Sequence, residues 1–168
     1  MGMRTGSFRS GFSLLELLVV VAIVGILATL VIVSLSGVVG KARDTKRLHT
    51  MSQMGRMLMS SECYLPDAGA GDYDLAEVAA ELRTKYPQFA SALTNLPKDP
   101  KTGTDAATNY RYTATADGHC VLYANFENTR ETVTLPGLTA PTPNAGTGVL
   151  QASSNGPNGT PLYYQVSK

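Results

Sequence analysis

The residues of this chain that could take part in chemistry are few and far apart. One carboxylate, Glu16, stands at the start of a long apolar run, and Cys63 and Cys120 are the only cysteines in 168 residues. A carboxylate in an apolar helix usually faces a polar or charged partner, because leaving it unpaired there is costly. Two cysteines are too few for a disulfide-dense scaffold or a four-thiolate zinc site. The two cysteines can form either a single disulfide or two independent buried thiols.

Nothing else in the sequence indicates an active site. His119 precedes Cys120, but neighbouring strand residues point to opposite faces, so the imidazole cannot readily activate the thiol. The sequence has no phosphate-binding glycine loop, supported carboxylate pair or zinc helix. Its net charge of +1 gives no sign of a nucleic-acid partner. We therefore expect a protein that is not an enzyme.

The element that positions Glu16 is a long apolar segment. All but two of residues 17–33 are apolar, and residues 12–39 carry a single charge. At 1.5 Å per residue these 28 residues span about 42 Å as a helix, enough to cross a hydrocarbon core about 30 Å thick. Only Arg4 and Arg9 are charged ahead of this segment, and no small-residue cleavage site follows it, unlike a secretory signal. We therefore predict a membrane-spanning helix.

The segment RSGFSLLELLVVVAIVGILATLVIV resembles the leader junction and N-terminal helix of type IV pilins and of the pseudopilins of type II secretion and competence systems. The matching positions are Gly11, Phe12 and, four residues later, Glu16. The resemblance implies that a prepilin peptidase cleaves between Gly11 and Phe12 and that the new amine of Phe12 is methylated. It also implies that Glu16 sets the register of a helical filament by contacting a neighbour's N-terminus. The likeness is close over residues 9–45, although Val33 stands where many members carry a proline.

Two further expectations depend on this resemblance. Asp99 and Asp105 are candidate calcium ligands, because some pseudopilins bind calcium in a corresponding loop. Their spacing matches no defined calcium-binding motif, so we expect no cofactor, with calcium as the alternative. If the C-terminal part is exported, an oxidising compartment would allow Cys63 and Cys120 to form a disulfide.

Beyond the apolar segment the helical pattern becomes amphipathic. Four residues recur at steps of three and four and so share one helical face, which we expect to pack on the following domain: Leu48, Met51, Met54 and Leu58. A basic cluster precedes them and is interpreted as an anchor to lipid headgroups: Lys41, Arg43, Lys46 and Arg47.

The C-terminal half carries the signals of a short helix and a small sheet. Asp74 and Glu77 fit an N-cap and its third helical residue, with apolar residues at helical spacing after them. Alternating residues around Tyr110–Ala114 and Cys120–Phe126 flank Asp117-Gly118, which predicts an antiparallel hairpin. A third strand is predicted over residues 132–135. The order of elements predicts an α+β fold in which a long N-terminal helix packs against a small antiparallel sheet, the pilin fold that the resemblance implies.

The expected organisation has five parts. They are a cleaved leader (1–11), a transmembrane or filament-core helix (12–39), the amphipathic half of the helix (40–63), a globular head (64–135) and a Pro/Gly-rich tail with a final strand (136–168).

The resemblance implies a pilin, made as a single-pass precursor in the cytoplasmic membrane and later part of an extracellular pilus or fimbrium. Its partners would be other copies of the chain, the prepilin peptidase, the pilus assembly machinery and, before assembly, membrane lipid. The alternatives are a pseudopilin of a type II secretion or competence system and a monomeric, membrane-tethered binding domain.

Overall fold

The computed structural model describes residues 13–91 and 93–168, without the side chains of residues 30–36 and 89. Gly11 and Phe12, the expected cleavage position, therefore lie outside the described residues, as does the Val33 side chain. The chain divides into two compact units, with the boundary after Val38. Helix α1 (Leu14–Leu58) contributes residues to both units.

The described part of the first unit is helical and apolar. From Leu14 to Thr29 every described side chain is exposed, and Leu14 itself is 86% exposed. Among the residues that the structure describes, no helix is long and apolar enough to qualify as a membrane span.

The second unit is built on a five-stranded antiparallel sheet with the strand order β1-β2-β3-β5-β4. The strands are β1 (Gly71–Asp74), β2 (Tyr110–Ala114), β3 (Cys120–Asn125), β4 (Gly148–Gln151) and β5 (Leu162–Ser167). Helix α2 (Leu75–Lys85) and a short 3-10 turn (Pro87–Phe89) follow β1. A helix at the N-terminal end and a small antiparallel sheet confirm the expected α+β class.

The core lies between the inner face of the sheet and the C-terminal half of α1. Met51, Met54 and Leu58 pack in one buried cluster with inner-face residues of β2 and β3, as the helical spacing predicted. Leu48, the fourth residue of that predicted face, is half-buried and packs instead against a second cluster formed by Phe126, Val149 and Leu162. Gly55 belongs to the same contact, since a Cβ added there would lie 3.2 Å from a methyl of Val166.

The local signals in the sequence predicted several elements correctly. Asp74 caps α2 in a complete capping box with Glu77, and α2 begins at Leu75. The hairpin pairs Tyr112 with Leu122, and Gly118 adopts a positive φ of 85° in its turn.

The sheet differs from the prediction at its edges. Residues 132–135 are not a strand, and the backbone amides of Thr134 and Leu135 instead both donate to the carbonyl of Val149 in the edge strand β4. The opposite edge is β1, whose four residues carry no strand-like alternation that would have indicated it.

The Pro/Gly-rich segment is part of this unit. Its last strand, β5, lies inside the sheet between β3 and β4. Gln165 of β5 is fully buried and holds the preceding loop over the sheet, because its side-chain amide donates to the carbonyls of Thr142 and Gly146 and accepts from the Thr142 amide.

Candidate functional site

Glu16 lies in the first turn of α1, where it completes a capping box. The amide of Ser13 donates to the Glu16 carboxylate at 2.9 Å, and the amide of Glu16 donates to the Ser13 hydroxyl at 3.2 Å. Such reciprocal bonds satisfy two amides that a helix start would otherwise leave unpaired, and the carboxylate also complements the helix dipole. The serine three residues before Glu16 was visible in the sequence, so the motif could have been predicted.

The side chains that follow Glu16 form an apolar surface on all sides of the helix. Those exposed over the described part include Leu17, Leu18, Val21, Val24 and Leu27. Exposed apolar surface of this extent is typical of a site that contacts lipid or another protein. The described residues of the first unit therefore carry one carboxylate, at the start of an apolar helix, and little else that could act chemically.

In the second unit, the basic cluster makes protein contacts that the lipid-anchor interpretation did not foresee. Arg47 is fully buried and pairs with Asp44 at 2.6 Å and with Asp99 at 2.7 Å. Arg43 donates two hydrogen bonds to Glu127, at 2.6 and 2.7 Å. The lipid-anchor interpretation is therefore wrong for these two arginines, while Lys41 and Lys46 are exposed.

Asp99 is the centre of this buried polar network. Its carboxylate accepts hydrogen bonds from Arg47, from the amides of Lys101 and Thr102, and from the side-chain amide of Asn158. Burial alone would raise the pKa of Asp99, but the bonds from Arg47 and these amides outweigh it and hold the pKa well below its usual range.

The two candidate calcium ligands occupy different surroundings. Asp99 is buried and its carboxylate oxygens are engaged by Arg47 and the loop amides, whereas Asp105 is exposed and pairs with Lys98 at 2.5 Å. Across the described parts of the chain, no group of three or more His, Cys, Asp and Glu side chains could hold a metal ion.

Cys63 and Cys120 form a disulfide that joins the segment after α1 to strand β3. The Cα atoms are 5.8 Å apart, and the bridge closes a segment with a sequence separation of 57. The last residue, Lys168, lies beside this bridge, because its backbone pairs with that of Cys120 and its ammonium donates to the carbonyl of Ser61. The end of α1, β3 and the end of the chain are therefore tied at one place.

Asn158, which begins an Asn-Gly-Thr sequence, belongs to the interior. Its side-chain amide donates to Asp99 and to the carbonyl of Asn125, and the residue is buried. An oligosaccharide could not be attached there without breaking these contacts.

Comparison with known protein families adds the decisive observation on the N-terminal segment. A family model described as the prokaryotic N-terminal methylation motif matches residues 7–32. The chain carries the type IV prepilin and pseudopilin signature. No curated protein and no solved structure shows a significant match to the chain.

The prepilin signature covers Gly11, Phe12 and Glu16, the three positions on which the resemblance depended. It supports the general class of type IV pilins and pseudopilins, whose members are structural proteins that begin as membrane-anchored precursors. Of the three residues, only Glu16 lies in the described part of the structure.

Proposed function

We propose that this chain is a structural subunit of a type IV pilus. It is inserted as a single-pass prepilin, cleaved after Gly11 and methylated at Phe12. It then polymerises through its N-terminal helix, and the filament serves surface functions such as adhesion, motility or DNA uptake. The observation that carries the proposal is the methylation motif at residues 7–32, placed at the start of a helix whose side chains up to Thr29 are all exposed and mostly apolar.

The exposed apolar side chains supply the driving force for assembly. Burying one Leu, Val or Ile side chain contributes about 1.5–3 kcal/mol, and more than ten such side chains are exposed in the described part of this helix. Packing the helices of many copies side by side removes this surface from water or exchanges lipid contacts for protein contacts. A membrane would hold the same surface before assembly.

Glu16 supplies the specificity of packing. A carboxylate buried in a filament core without a partner is costly, so registers that leave it unpaired are disfavoured. In a single chain the carboxylate already accepts a bond from the amide of Ser13. In the filament, the proposed partner is the positively charged Phe12 amine that cleavage creates on a neighbouring copy.

The test of this mechanism uses two substitutions at one position. Glu16→Ala should leave insertion and cleavage intact but abolish or scramble filaments. Glu16→Gln is the informative companion, because glutamine also fits the capping box with Ser13 but carries no charge. Filament yield is measured by shearing and electron microscopy, and normal filaments from Glu16→Gln would refute pairing by charge.

Cleavage is tested separately at Gly11. Gly11→Leu should accumulate a precursor that retains residues 1–11, while the wild type loses them. The loss removes Arg4 and Arg9, and this changes the net charge from +1 to −1. N-terminal sequencing of a Gly11→Leu product that still begins at Phe12 would contradict the proposed cleavage site.

The methylation motif equally supports a pseudopilin of a type II secretion or competence system. Short filaments confined to the cell envelope, rather than fibres on the surface, would favour that function. A monomeric, membrane-tethered binding domain would instead give no crosslinks between copies, and Glu16 would then have no intermolecular partner.

A further inference from the structure

The outer face of the sheet carries an open cavity beside the loop that Gln165 holds. Gln165 and the loop it holds cover the β4 side, while the side chains of Tyr123 and Tyr163 remain half-buried on the other side. The cavity has a volume of about 370 Å³, and its lining residues are Asn109, Arg111, Tyr123, Asn125, Pro157 and Tyr163.

Two tyrosine rings and one proline ring form the apolar walls of this cavity. Tyr123 and Tyr163 lie edge to face, with ring centroids 6.1 Å apart and an interplanar angle of 62°. The Tyr163 hydroxyl lies so close to Gly156 that any side chain at that position would collide with it. The Cβ of such a side chain would also collide with the side chain of Asn125, so glycine at position 156 lets the loop that carries Pro157 lie close to the cavity wall without displacing either side chain.

The polar atoms around the rings are fixed in place and leave little net charge. Arg111 pairs with Asp72 at 2.5 Å, and the same carboxylate accepts bonds from Thr113 and Tyr123. Burial, with the nearby Asp72 charge, raises the pKa of Tyr123 to about 12, so its hydroxyl stays protonated at neutral pH.

Two polar groups of the lining remain available to a ligand. Among the described residues, none makes a hydrogen bond to the Tyr163 hydroxyl, and none donates to the side-chain oxygen of Asn109. Asn125, by contrast, uses its amide nitrogen for the carbonyls of Thr160 and Leu162 and its oxygen for the Asn158 amide, so it shapes the wall. The site thus combines flat apolar surfaces with a few oriented donors and acceptors.

We propose that this cavity binds a neutral saccharide, with the C–H face of a sugar ring against Tyr123 or Tyr163 and hydroxyl groups bonded to Asn109 and Tyr163. A sugar ring has both an apolar face and a rim of hydroxyls, which is the pattern that the lining presents. An anionic ligand or a nucleic acid fits less well, because phosphate binding depends on uncompensated Lys or Arg charge and the one arginine here is neutralised by Asp72.

The test is a binding measurement on the full chain in a detergent that has no sugar headgroup. Maltotriose, cellotriose and tri-N-acetylchitotriose are the probes, and a thymidine decanucleotide represents single-stranded nucleic acid. Saturation-transfer NMR identifies binding and titration gives the Kd. We expect at least one trisaccharide to bind with a Kd of about 1 mM or tighter.

Three variants locate the binding. Tyr163→Leu keeps apolar bulk but removes the ring, and should weaken binding about tenfold, which corresponds to about 1.4 kcal/mol. Tyr86→Leu is the matched control, an exposed tyrosine outside the cavity lining, and should leave the Kd within about twofold. Asn109→Gly removes the amide at a position whose φ of 60° suits glycine, and should also weaken binding severalfold.

Several outcomes would overturn this proposal. They are no binding of any trisaccharide at about 10 mM, binding of the decanucleotide alone, or binding unchanged in both Tyr163→Leu and Asn109→Gly. The thermal midpoint of each variant shows whether it is folded. If Tyr163→Leu does not fold, the binding measured with Asn109→Gly decides whether the cavity is the binding site. The cavity lies wholly within residues 39–168, so this test and the filament test can fail independently.

Discussion

Replacing Asp99 with asparagine should destabilise the second unit while preserving its shape. Asparagine has nearly the same volume, but its amide group would present hydrogen-bond donors to a guanidinium that is itself only a donor. Arg47 is 0% exposed and donates to both oxygens of Asp99, so the substitution leaves a buried charge partly uncompensated. Removing one partner of a buried ion pair typically costs 3–5 kcal/mol.

The expected magnitude lies at the lower end of that range. Asp44 still accepts a bond from Arg47 at 2.6 Å in the variant, so part of the charge remains paired. We expect a loss of about 3 kcal/mol in the free energy of unfolding. For a chain of this size that corresponds to a fall of about 6–12 °C in Tm.

The assay can be confined to the second unit. All eight tyrosines follow Cys63 in the sequence, so near-ultraviolet circular dichroism of tyrosine reports on this unit alone. Asp105→Asn is the matched control. Asp105 lies in the same loop as Asp99 and also forms an ion pair, in this case with Lys98, but its side chain is 96% exposed. An exposed pair contributes about 0–1 kcal/mol, so the control should shift Tm by only a few degrees.

The pH dependence gives an independent check. The pKa of Asp99 is lower in the folded chain than its ordinary value of 3.8, so the folded state favours the charged form. Its contribution to stability is therefore complete above the unfolded pKa and disappears as pH falls from about 4 through the folded pKa. The gap in Tm between wild type and Asp99→Asn should narrow over that range. A wild-type Tm in Asp99→Asn at pH 7 would refute the reasoning.

Substitutions at three further places test other contacts of the second unit. Replacing Cys63 and Cys120 together with alanine should cost about 4 kcal/mol on the loop-entropy model, measured as a Tm shift against the oxidised wild type, and an unchanged Tm would contradict it. Asp74→Ala should cost about 2 kcal/mol because it removes the cap of α2 together with the bonds that the carboxylate accepts from Thr108 and Asn109, whereas Asp74→Asn should retain most of the cap; equal losses in urea unfolding would speak against a contribution from the cap. Gly103→Ala should cost about 1–3 kcal/mol, because its Cβ would collide with the backbone of Asp99, and a neutral effect in the same assay would show that the loop can yield.

The parts of this fold that the sequence predicted depend on neighbouring residues. The cap of α2 needs only Asp74 and Glu77, and the hairpin needs two alternating runs around Asp117-Gly118. The methionine face could be predicted for the same reason, since a helix brings residues three and four apart to one side.

The parts that the sequence did not predict depend on distant contacts. Arg47 and Asp99 are separated by 52 residues, and nothing near Arg47 distinguishes it from the exposed Lys46 before it. Strand β4 is only four residues long, and it is held in the sheet by pairing with β5, which begins eleven residues after β4 ends. A strand this short has too few residues to show an alternating pattern in the sequence. The aromatic cavity likewise combines residues from four parts of the fold, namely the start of β2, strand β3, the loop that carries Pro157 and strand β5, so no local pattern indicated it.

The N-terminal motif could be recognised from the sequence because its residues are contiguous, while the roles expected of them stay predictions. Gly11, Phe12 and Glu16 lie within six residues, and the family model matches them directly. The capping contact between Ser13 and Glu16 has equally local spacing, and the serine three residues before the carboxylate is the signal that could have predicted it.

Mass spectrometry of the N-terminal peptide from fibres sheared off the cell surface tests the central claim most directly. The proposed function predicts fibres that contain this chain and begin at an N-methylated Phe12. Fibres in which the chain retains residues 1–11, or surface fibres that lack the chain altogether, would contradict it.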